Sequence, residues 1–236
     1  MIIPAQPAAT ILIAREQNNS LEVLLLRRNK ALKFAGGLWV FPGGKIEKEE
    51  LAATETELEA AKLAAVRETM EEANIEIDPD RLLFFNHWLT PIRQPKRFGA
   101  YFFFAELADP NASVKVDDSE IKDYLWISPQ AALERVADRT LSMMPPTFIS
   151  LQRIQNCRTI QSAKEALSKT PPIYILPVLR FMDGAMVCLY EGDAGYETGD
   201  MYAKGPRHRL TANMKTGQFK FEYSGCDHVM PVNIGA

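Results

Sequence analysis

The 236-residue chain carries 30 acidic and 27 basic side chains, so its formal net charge at pH 7 is −3. A slightly acidic protein lacks the surplus of positive charge that a nucleic-acid backbone attracts, which argues against nucleic-acid binding as its main role. With 47% hydrophobic and 24% charged residues, the composition is that of a globular protein large enough to bury a substantial core.

The cysteines Cys157, Cys188 and Cys226 are odd in number and far apart. Their spacing argues against a disulfide framework and a zinc site, and it predicts a reducing compartment such as the cytoplasm. The N-terminus lacks a basic segment, and no apolar run approaches the roughly 18 residues of a membrane span. We therefore expect neither a signal peptide nor a transmembrane helix.

The first part of the chain predicts a β-hairpin, with strands over residues 8–14 and 21–26. Arg27 and Arg28 follow the second strand and begin a basic stretch that continues through Lys30 and Lys33. This stretch is either a solvated loop or a surface that faces phosphate groups. A short apolar strand over residues 38–41 then ends in a Pro-Gly-Gly turn.

The next segment predicts a long helix. Thr54 and Glu57 have the spacing of a capping box, which predicts a helix that begins near Glu55. Asn74 marks its end, because asparagine tolerates the left-handed conformation just past a helix. Helical periodicity predicts a buried stripe composed of Leu63, Val66, Met70 and Ala73.

The rest of the chain predicts strands over residues 82–89, 101–104 and 124–127, and then helices over residues 129–136, 148–155 and 160–167. Beyond Pro172 the pattern changes to strands over residues 173–181, 185–190, 209–214 and 219–223. We therefore predict a main domain over residues 1–158. A helical linker and a small β-rich appendage, packed on the main domain or separate from it, would occupy residues 159–236.

Three glutamates share one face of the predicted long helix. Glu68, Glu71 and Glu72 lie within about 100° of arc. Close carboxylates repel one another unless water or a cation neutralises them, and glutamate oxygens suit hard ions such as Mg²⁺ or Mn²⁺. The alternative is an inert acidic surface in which Arg67 and Glu71 pair four residues apart.

The Pro-Gly-Gly turn and the helix together resemble the Nudix box, G-x5-E-x7-R-E-U-x-E-E-x-G-U, where U is bulky and aliphatic. The matching residues are Phe41-Pro42-Gly43-Gly44 and then Arg67-Glu68-x-x-Glu71-Glu72-x-Asn74-Ile75. Asn74 replaces the final glycine, Thr69 replaces the first aliphatic residue, and the spacing between Gly44 and Arg67 is nine residues longer than the pattern.

Two residues compete for the first glutamate of the box. Glu50 matches when counted forward from Gly44, whereas Glu59 matches when counted back from Arg67. If all nine extra residues lengthened one continuous helix, Glu50 would be half a turn out of phase. The predicted capping box also leaves Glu50 outside the helix. We therefore assign the box glutamate to Glu59 and the insertion to the loop between Gly44 and Thr54.

Resemblance to the Nudix family implies an α/β protein with an α/β/α sandwich, in which divalent metal, Mg²⁺ or Mn²⁺, is held against a pyrophosphate. The Gly44 carbonyl, Glu68, Glu71 and Glu72 match the metal-binding positions, and Arg67 matches the arginine that orients the glutamates. The implied reaction is hydrolysis of a nucleoside diphosphate linked to some group X. Glu68 or Glu72 is then the general base, or a carboxylate from a later loop takes that role. Glu120 is our candidate for the later carboxylate, with an ordinary surface charge as the alternative.

Further matches are Leu25-Leu26-Arg27-Arg28, the Trp39-Val40-Phe41-Pro42-Gly43-Gly44 segment, the long insertion in the box, Thr90-Pro91 with Arg97-Phe98, and residues 141–147. Through them residues 8–155 resemble the branch of the family that cleaves coenzyme A and its acyl esters. This resemblance implies a small-molecule nucleotide substrate, with Arg27, Arg28 and Arg97 as substrate-binding residues. Arg93 and Lys96 lie in the same predicted loop as Arg97, where either substrate phosphate or solvent is the partner. The alternatives are an ADP-ribose or dinucleotide pyrophosphatase and a non-catalytic nucleotide sensor. The oligomeric state is left open, with a homodimer as one alternative.

Overall fold

A mixed β-sheet forms the centre of the molecule. The computed structural model describes residues 3–92, 94–182 and 184–226. In these ranges the sheet has the order β3-β2-β1-β6-β5-β8, with β4 paired to β1 and β7 paired to β2. Its strands are β1 (Gln6–Gln17), β2 (Ser20–Arg28), β3 (Trp39–Val40), β4 (Gly43–Lys45), β5 (Leu83–Leu89), β6 (Phe98–Glu106), β7 (Ile121–Ile127) and β8 (Ile173–Ile175).

Helices cover both faces of this sheet, as the predicted α/β/α sandwich requires. They are α1 (Lys48–Ala52), α2 (Glu57–Ala73), α3 (Pro129–Ala137), α4 (Pro145–Ile154) and α5 (Ile160–Ser168). The alanine-rich face of α2 packs on one side, against Ile11, Leu24 and Phe103. The other side is covered by α3, α4 and α5. The fold is therefore the predicted α/β class.

Local sequence signals account for several element ends. The β1–β2 hairpin turns at Asn18 and Asn19, which both have the positive φ that this two-residue turn requires. Ser128 caps α3 by accepting a hydrogen bond from the Ala131 N–H, and Pro129 occupies its first turn. Asn74 ends α2 in the left-handed conformation, as predicted.

The predicted start and buried stripe of the long helix were wrong in detail. Helix α2 begins at Glu57, because the capping box is formed by Thr56 and Glu59. Leu63 and Met70 are more than a third exposed. Ala73 is buried as predicted, and the other buried positions are occupied mainly by small side chains: Ala60, Ala61, Ala64, Ala65, Thr69 and Glu72. Small side chains let the helix approach the sheet closely, so the larger ones lie at the margin.

A second, antiparallel sheet follows in the C-terminal part. In the described residues its order is β12-β11-β10-β9, with β9 (Val178–Met182), β10 (Ala185–Leu189), β11 (Arg207–Asn213) and β12 (Phe219–Ser224). The single strand predicted over residues 173–181 is split, since β8 pairs with β5 in the central sheet. Tyr190 packs edge-on against Trp88, and Phe219 against Phe148, at ring separations of 5.8 and 5.1 Å. The two sheets therefore share one core, while the domain boundary at residue 158 remains a prediction.

A buried ion pair anchors this second sheet. Asp193 has a fully buried side chain, and both of its oxygens accept hydrogen bonds from Arg209, at 2.6 and 2.7 Å. The same oxygens also accept from the backbone N–H groups of Gly195 and His208. A buried carboxylate with four donors is well compensated, so removing its charge leaves Arg209 without a counter-charge.

We expect Asp193→Asn to lower the free energy of unfolding by ~3–5 kcal/mol, because the buried Arg209 charge loses its partner. Denaturant unfolding followed by tryptophan fluorescence measures this change. Lys220→Gln is the control, since Lys220 pairs with Glu222 at the exposed surface and should change stability by less than ~0.5 kcal/mol. Because the core is continuous, a single transition is expected; a separate early transition of the second sheet would contradict it.

Candidate active site

The three predicted glutamates of α2 differ in their surroundings. Glu72 is almost completely buried, with 6% of its surface exposed. Glu68 is partly buried, and Glu71 is exposed at the outer edge of the same face. The burial of Glu72 was not expected from the sequence, because the predicted buried stripe was composed of apolar residues and a charged residue was not counted in it.

The Gly43-Gly44 turn contacts these carboxylates directly. The Gly43 N–H donates a hydrogen bond of 3.0 Å to Glu72 Oε2. The Glu68 carboxylate lies so close to the Cα of Gly44 that a Cβ at this position would overlap its oxygens. A Cβ on Gly43 would meet the backbone of Ala9 and Thr10, and its φ of 154° also favours glycine. Gly43 is therefore required by space, whereas a side chain at Gly44 would displace the Glu68 carboxylate.

Arg67 connects the residues on the outer side of the site through hydrogen bonds. Its guanidinium donates to Glu50 Oε1 and to Glu68 Oε1, both at 2.9 Å, and to Glu71 Oε2 at 3.2 Å. A further hydrogen bond of 3.0 Å reaches the backbone carbonyl of Lys45. One cation thus holds the turn, α1 and α2 in a fixed arrangement.

Two residues from distant parts of the sequence complete the site. Arg28, at the end of β2, lies 3.0 Å from Glu120 Oε2 and 3.8 Å from Glu72 Oε1. The backbone N–H of Asn29 donates to the carbonyl of Glu120, which fixes the loop before β7 beside β2. Glu120, 48 positions from Glu72 in the sequence, is therefore brought to the same place.

The electrostatics reflect this crowding. Burial raises the pKa of Glu72 to about 8, and the negative charges of Glu68 and Glu120 add to the shift. Burial also raises the pKa of Glu68, against the lowering effect of its hydrogen bond to Arg67. Burial alone would lower the pKa of Arg67, but the hydrogen bonds to Glu50 and Glu68 give a net increase, so this guanidinium stays charged.

Comparison with known families agrees with this geometry. The family model described as the NUDIX domain matches residues 4–145, more than half of the chain. The chain belongs to the Nudix family. The matched region contains the Gly-Gly turn, α1, α2 and Glu120, and the protein is a Nudix hydrolase.

Individual relatives are more distant. A Caenorhabditis elegans protein that carries the name nudix hydrolase 7 is 23% identical over 225 residues, which cover 80% of this chain and 74% of that protein. The human acyl-coenzyme A diphosphatase NUDT19 is 31% identical over 136 residues, or 52% of this chain, and the match spans only 35% of the human protein. A Nudix hydrolase structure from Alicyclobacillus acidocaldarius has a TM-score of 0.63 at 22% identity, covering 72% of this chain and all of that one.

The structure corrects the assignment of the first glutamate of the Nudix box. Arg67 contacts Glu50, whereas Glu59 is exposed and forms the N-terminal cap of α2 with Thr56. The phase argument assumed one continuous helix, but Glu50 lies in the separate helix α1. The chain can therefore turn between the two helices and bring Glu50 back to Arg67. Counting forward from Gly44 identifies the correct residue.

The basic residues predicted to bind substrate have different surroundings. Arg28 is at the carboxylate site, and Arg27 next to it pairs with Asp123 at 3.0 Å and stacks over Trp39. Arg97 is buried and donates to the backbone carbonyls of Thr90 and Ile3, so its guanidinium fixes the backbone and is not available to substrate. Lys96 lies over the rings of Phe34 and Phe98. Arg93 lies outside the described residues.

A divalent cation fits the chemistry of this site. Nudix enzymes generally use such ions, and the donors here are the hard carboxylate and carbonyl oxygens that Mg²⁺ prefers. The Glu68 carboxylate occupies the space that a side chain on Gly44 would fill, which places oxygen ligands at the turn. Among the described residues, however, no three acidic, histidine or cysteine side chains are already gathered as ion ligands. Arg67 and Arg28 hold the carboxylates instead.

We expect Glu50→Gln to reduce kcat/KM by about 10-fold to 100-fold, because Arg67 loses the partner that orients it behind the glutamates. The measurement is steady-state hydrolysis of whichever pyrophosphate substrate the enzyme turns over fastest. Glu59→Gln is the matched control and should leave kcat/KM unchanged, because glutamine also completes a capping box. The reverse ranking of the two variants would restore Glu59 as the box glutamate.

Glu72 predicts a distinctive pH dependence of stability. Its pKa is about 8 in the folded protein and near 4.3 in an unfolded chain. Between these values the folded state binds more protons than the unfolded state, so stability falls as the pH rises. In chelator-treated protein, Glu72→Gln should therefore exceed the wild type in unfolding free energy by ~1–3 kcal/mol at pH 8.5 and match it near pH 5. Parallel pH profiles of the two proteins in urea unfolding would contradict the buried-carboxylate explanation.

Proposed function

We propose that the protein hydrolyses the pyrophosphate bond of a nucleoside diphosphate linked to a group X, in a reaction that depends on Mg²⁺ or Mn²⁺. The observation that carries this proposal is the convergence of Glu68 and Glu72 on the Gly43-Gly44 turn, with Glu120 joined to Glu72 through Arg28. Burial raises the pKa values of Glu68 and Glu72, and repulsion by neighbouring carboxylates adds to both shifts. A site that concentrates negative charge in this way supports binding of a multivalent cation.

The residues of the site have separable roles in this proposal. The Gly44 carbonyl, Glu68, Glu71 and Glu72 are the candidate ligands of the ion, and Arg67 orients Glu68 and Glu71 through the contacts described above. The ion supplies Lewis-acid charge opposite the pyrophosphate oxygens. Arg27 and Arg28, at the end of β2, are the proposed contacts to the substrate phosphates.

Glu120 is the proposed general base. It is more than half exposed, so it can reach a water molecule and exchange protons with solvent. Its loop is fixed to β2 through two hydrogen bonds of Asn29, to the carbonyls of Glu120 and Ser119. Glu68 and Glu72 are the alternative bases. Comparing the pH dependence of kcat in Glu120→Gln with that in Glu68→Gln distinguishes Glu120 from Glu68 as the base.

Coenzyme A or an acyl-coenzyme A is the proposed substrate, since the human relative is named an acyl-coenzyme A diphosphatase. The match covers 35% of that protein. ADP-ribose and dinucleotides are the competing substrates. A homodimer remains a prediction, which light scattering of the purified protein checks.

The test is a panel that contains coenzyme A, acyl-coenzyme A, ADP-ribose, NADH and nucleoside triphosphates, each assayed with Mg²⁺ and with Mn²⁺. We expect at least one compound to release its nucleoside 5′-phosphate part, which for coenzyme A and its esters is adenosine 3′,5′-bisphosphate, with coenzyme A or its esters turned over fastest. Glu72→Gln should reduce kcat by at least about 100-fold, because the site loses a charged oxygen ligand. Full activity in this variant, or no turnover of any compound by the wild type, would overturn the proposal.

Location remains open. Among the helices in the described ranges, none has both the length and the apolar character that a bilayer span requires.

A further inference from the structure

Arg28 occupies an unusual position inside the carboxylate site. Its side chain is only 16% exposed, and its two terminal nitrogens point to different glutamates. Nη2 lies 3.0 Å from Glu120 Oε2 and Nη1 lies 3.8 Å from Glu72 Oε1. The longer of these distances exceeds a hydrogen bond, and Nε is buried with no acceptor within the described part of the chain. Arg28 is thus hydrogen-bonded to Glu120, contacts Glu72 only through charge, and keeps an unused donor.

The backbone aims Arg28 into the site. The register between β2 and β7 shifts between Arg27 and Arg28, which indicates a bulge at this point. A bulge redirects the side chains around it and is common beside functional sites. The backbone of Arg28 is fixed on both sides, since its N–H donates to the Leu38 carbonyl and its carbonyl accepts from the Gly37 N–H. The backbone is therefore rigid, while the long side chain can rotate.

The distribution of charge shows what Arg28 does there. Arg67 divides its hydrogen bonds among Glu50, Glu68 and Glu71, on the outer side of the site. Glu72 and Glu120 face Arg28 instead, and the positive charge of Arg28 offsets part of the desolvation of Glu72. A divalent cation bound by Glu72 would lie within a few ångströms of this guanidinium. Two like charges at such a distance in a partly buried site repel strongly.

We propose that Arg28 is an internal counter-ion that competes with the divalent cation for Glu72 and Glu120. In the metal-free enzyme Arg28 lies between these two carboxyl groups and keeps them close together. When the cation binds, Arg28 is displaced from Glu72, and its guanidinium becomes available to the phosphates of the substrate. This inference rests on the proposed function, and it makes Arg28 a positioning residue that couples ion binding to substrate binding.

The proposed coupling predicts opposite effects of one substitution on ion binding and on substrate binding. Removing the charge of Arg28 removes a competitor, so the ion should bind more tightly, although the substrate should bind more weakly. If Arg28 only stabilised the fold, or only contacted substrate, removing its charge would not increase the affinity of the protein for the ion. Opposite effects of one substitution on the two ligands therefore distinguish the counter-ion role from both simpler roles.

The experiment titrates Mn²⁺ alone into purified Arg28→Gln and wild-type protein and measures bound Mn²⁺ by electron paramagnetic resonance. We expect the variant to bind Mn²⁺ about 3-fold to 10-fold more tightly, while its KM for substrate rises by at least about 10-fold at saturating Mn²⁺. Arg28→Lys retains the charge, so its Mn²⁺ affinity should lie between those of the wild type and Arg28→Gln. Thermal unfolding of each variant verifies that it is folded.

Arg15→Gln is the matched control, because it also removes an arginine that pairs with a glutamate on the central sheet, at 2.8 Å from Glu22. Its Mn²⁺ affinity should equal that of the wild type. If folded Arg28→Gln binds Mn²⁺ equally well or more weakly, the counter-ion role is overturned and the proposed hydrolysis is not. If the wild type shows no saturable Mn²⁺ binding, both the metal site and the counter-ion role are overturned.

Discussion

The structure of the site depends on one constraint, the neutralisation of several carboxylates that the fold forces together. Glu72 is buried against the Gly43-Gly44 turn, and Glu68 fills the space beside Gly44. Such charges are tolerated only with partners, and the chain supplies two arginines on opposite sides. Arg67 serves the outer carboxylates and Arg28 the inner ones. The acidic site is therefore stable without an ion.

The close approach of α2 to the sheet is what creates this constraint. Ala60, Ala61, Ala64 and Ala65 let the helix lie directly on β1 and β6, where larger residues would hold it away. The same closeness carries the C-terminal turn of α2 down to the glycine turn, where only a hydrogen atom fits between Gly44 and Glu68. Thr69 fills a position that the Nudix pattern gives to a bulky aliphatic residue, and its hydroxyl is satisfied by the Ala65 carbonyl. Packing and chemistry are thus coupled through one interface.

Sequence patterns predicted the features that short-range physics controls. The cap at Asn74, the start of α3 at Ser128 and the glutamate face all follow from residues a few positions apart. The errors arose where distant segments decide the outcome. The exposure of Leu63 and the burial of Glu72 depend on which side of α2 meets the sheet, and a weakly amphipathic helix does not reveal it. The contact of Glu50 with Arg67 depends on a chain reversal between α1 and α2, which motif spacing cannot describe.

The pairing of strands β2 and β7 explains why Arg28 and Glu120 belong to the same site although sequence analysis treated them separately. Antiparallel pairing places the end of β2 beside the start of β7, so residues 28 and 120 become neighbours. Because successive side chains of a strand point to opposite faces, the adjacent arginines serve different partners: Arg27 binds Asp123, and Arg28 reaches Glu120 and Glu72. The extra residue at the shift of register is Lys122 of β7. A shift of register by one residue would exchange these roles. The charge balance of the site is therefore set by strand register, and α2 alone does not determine it.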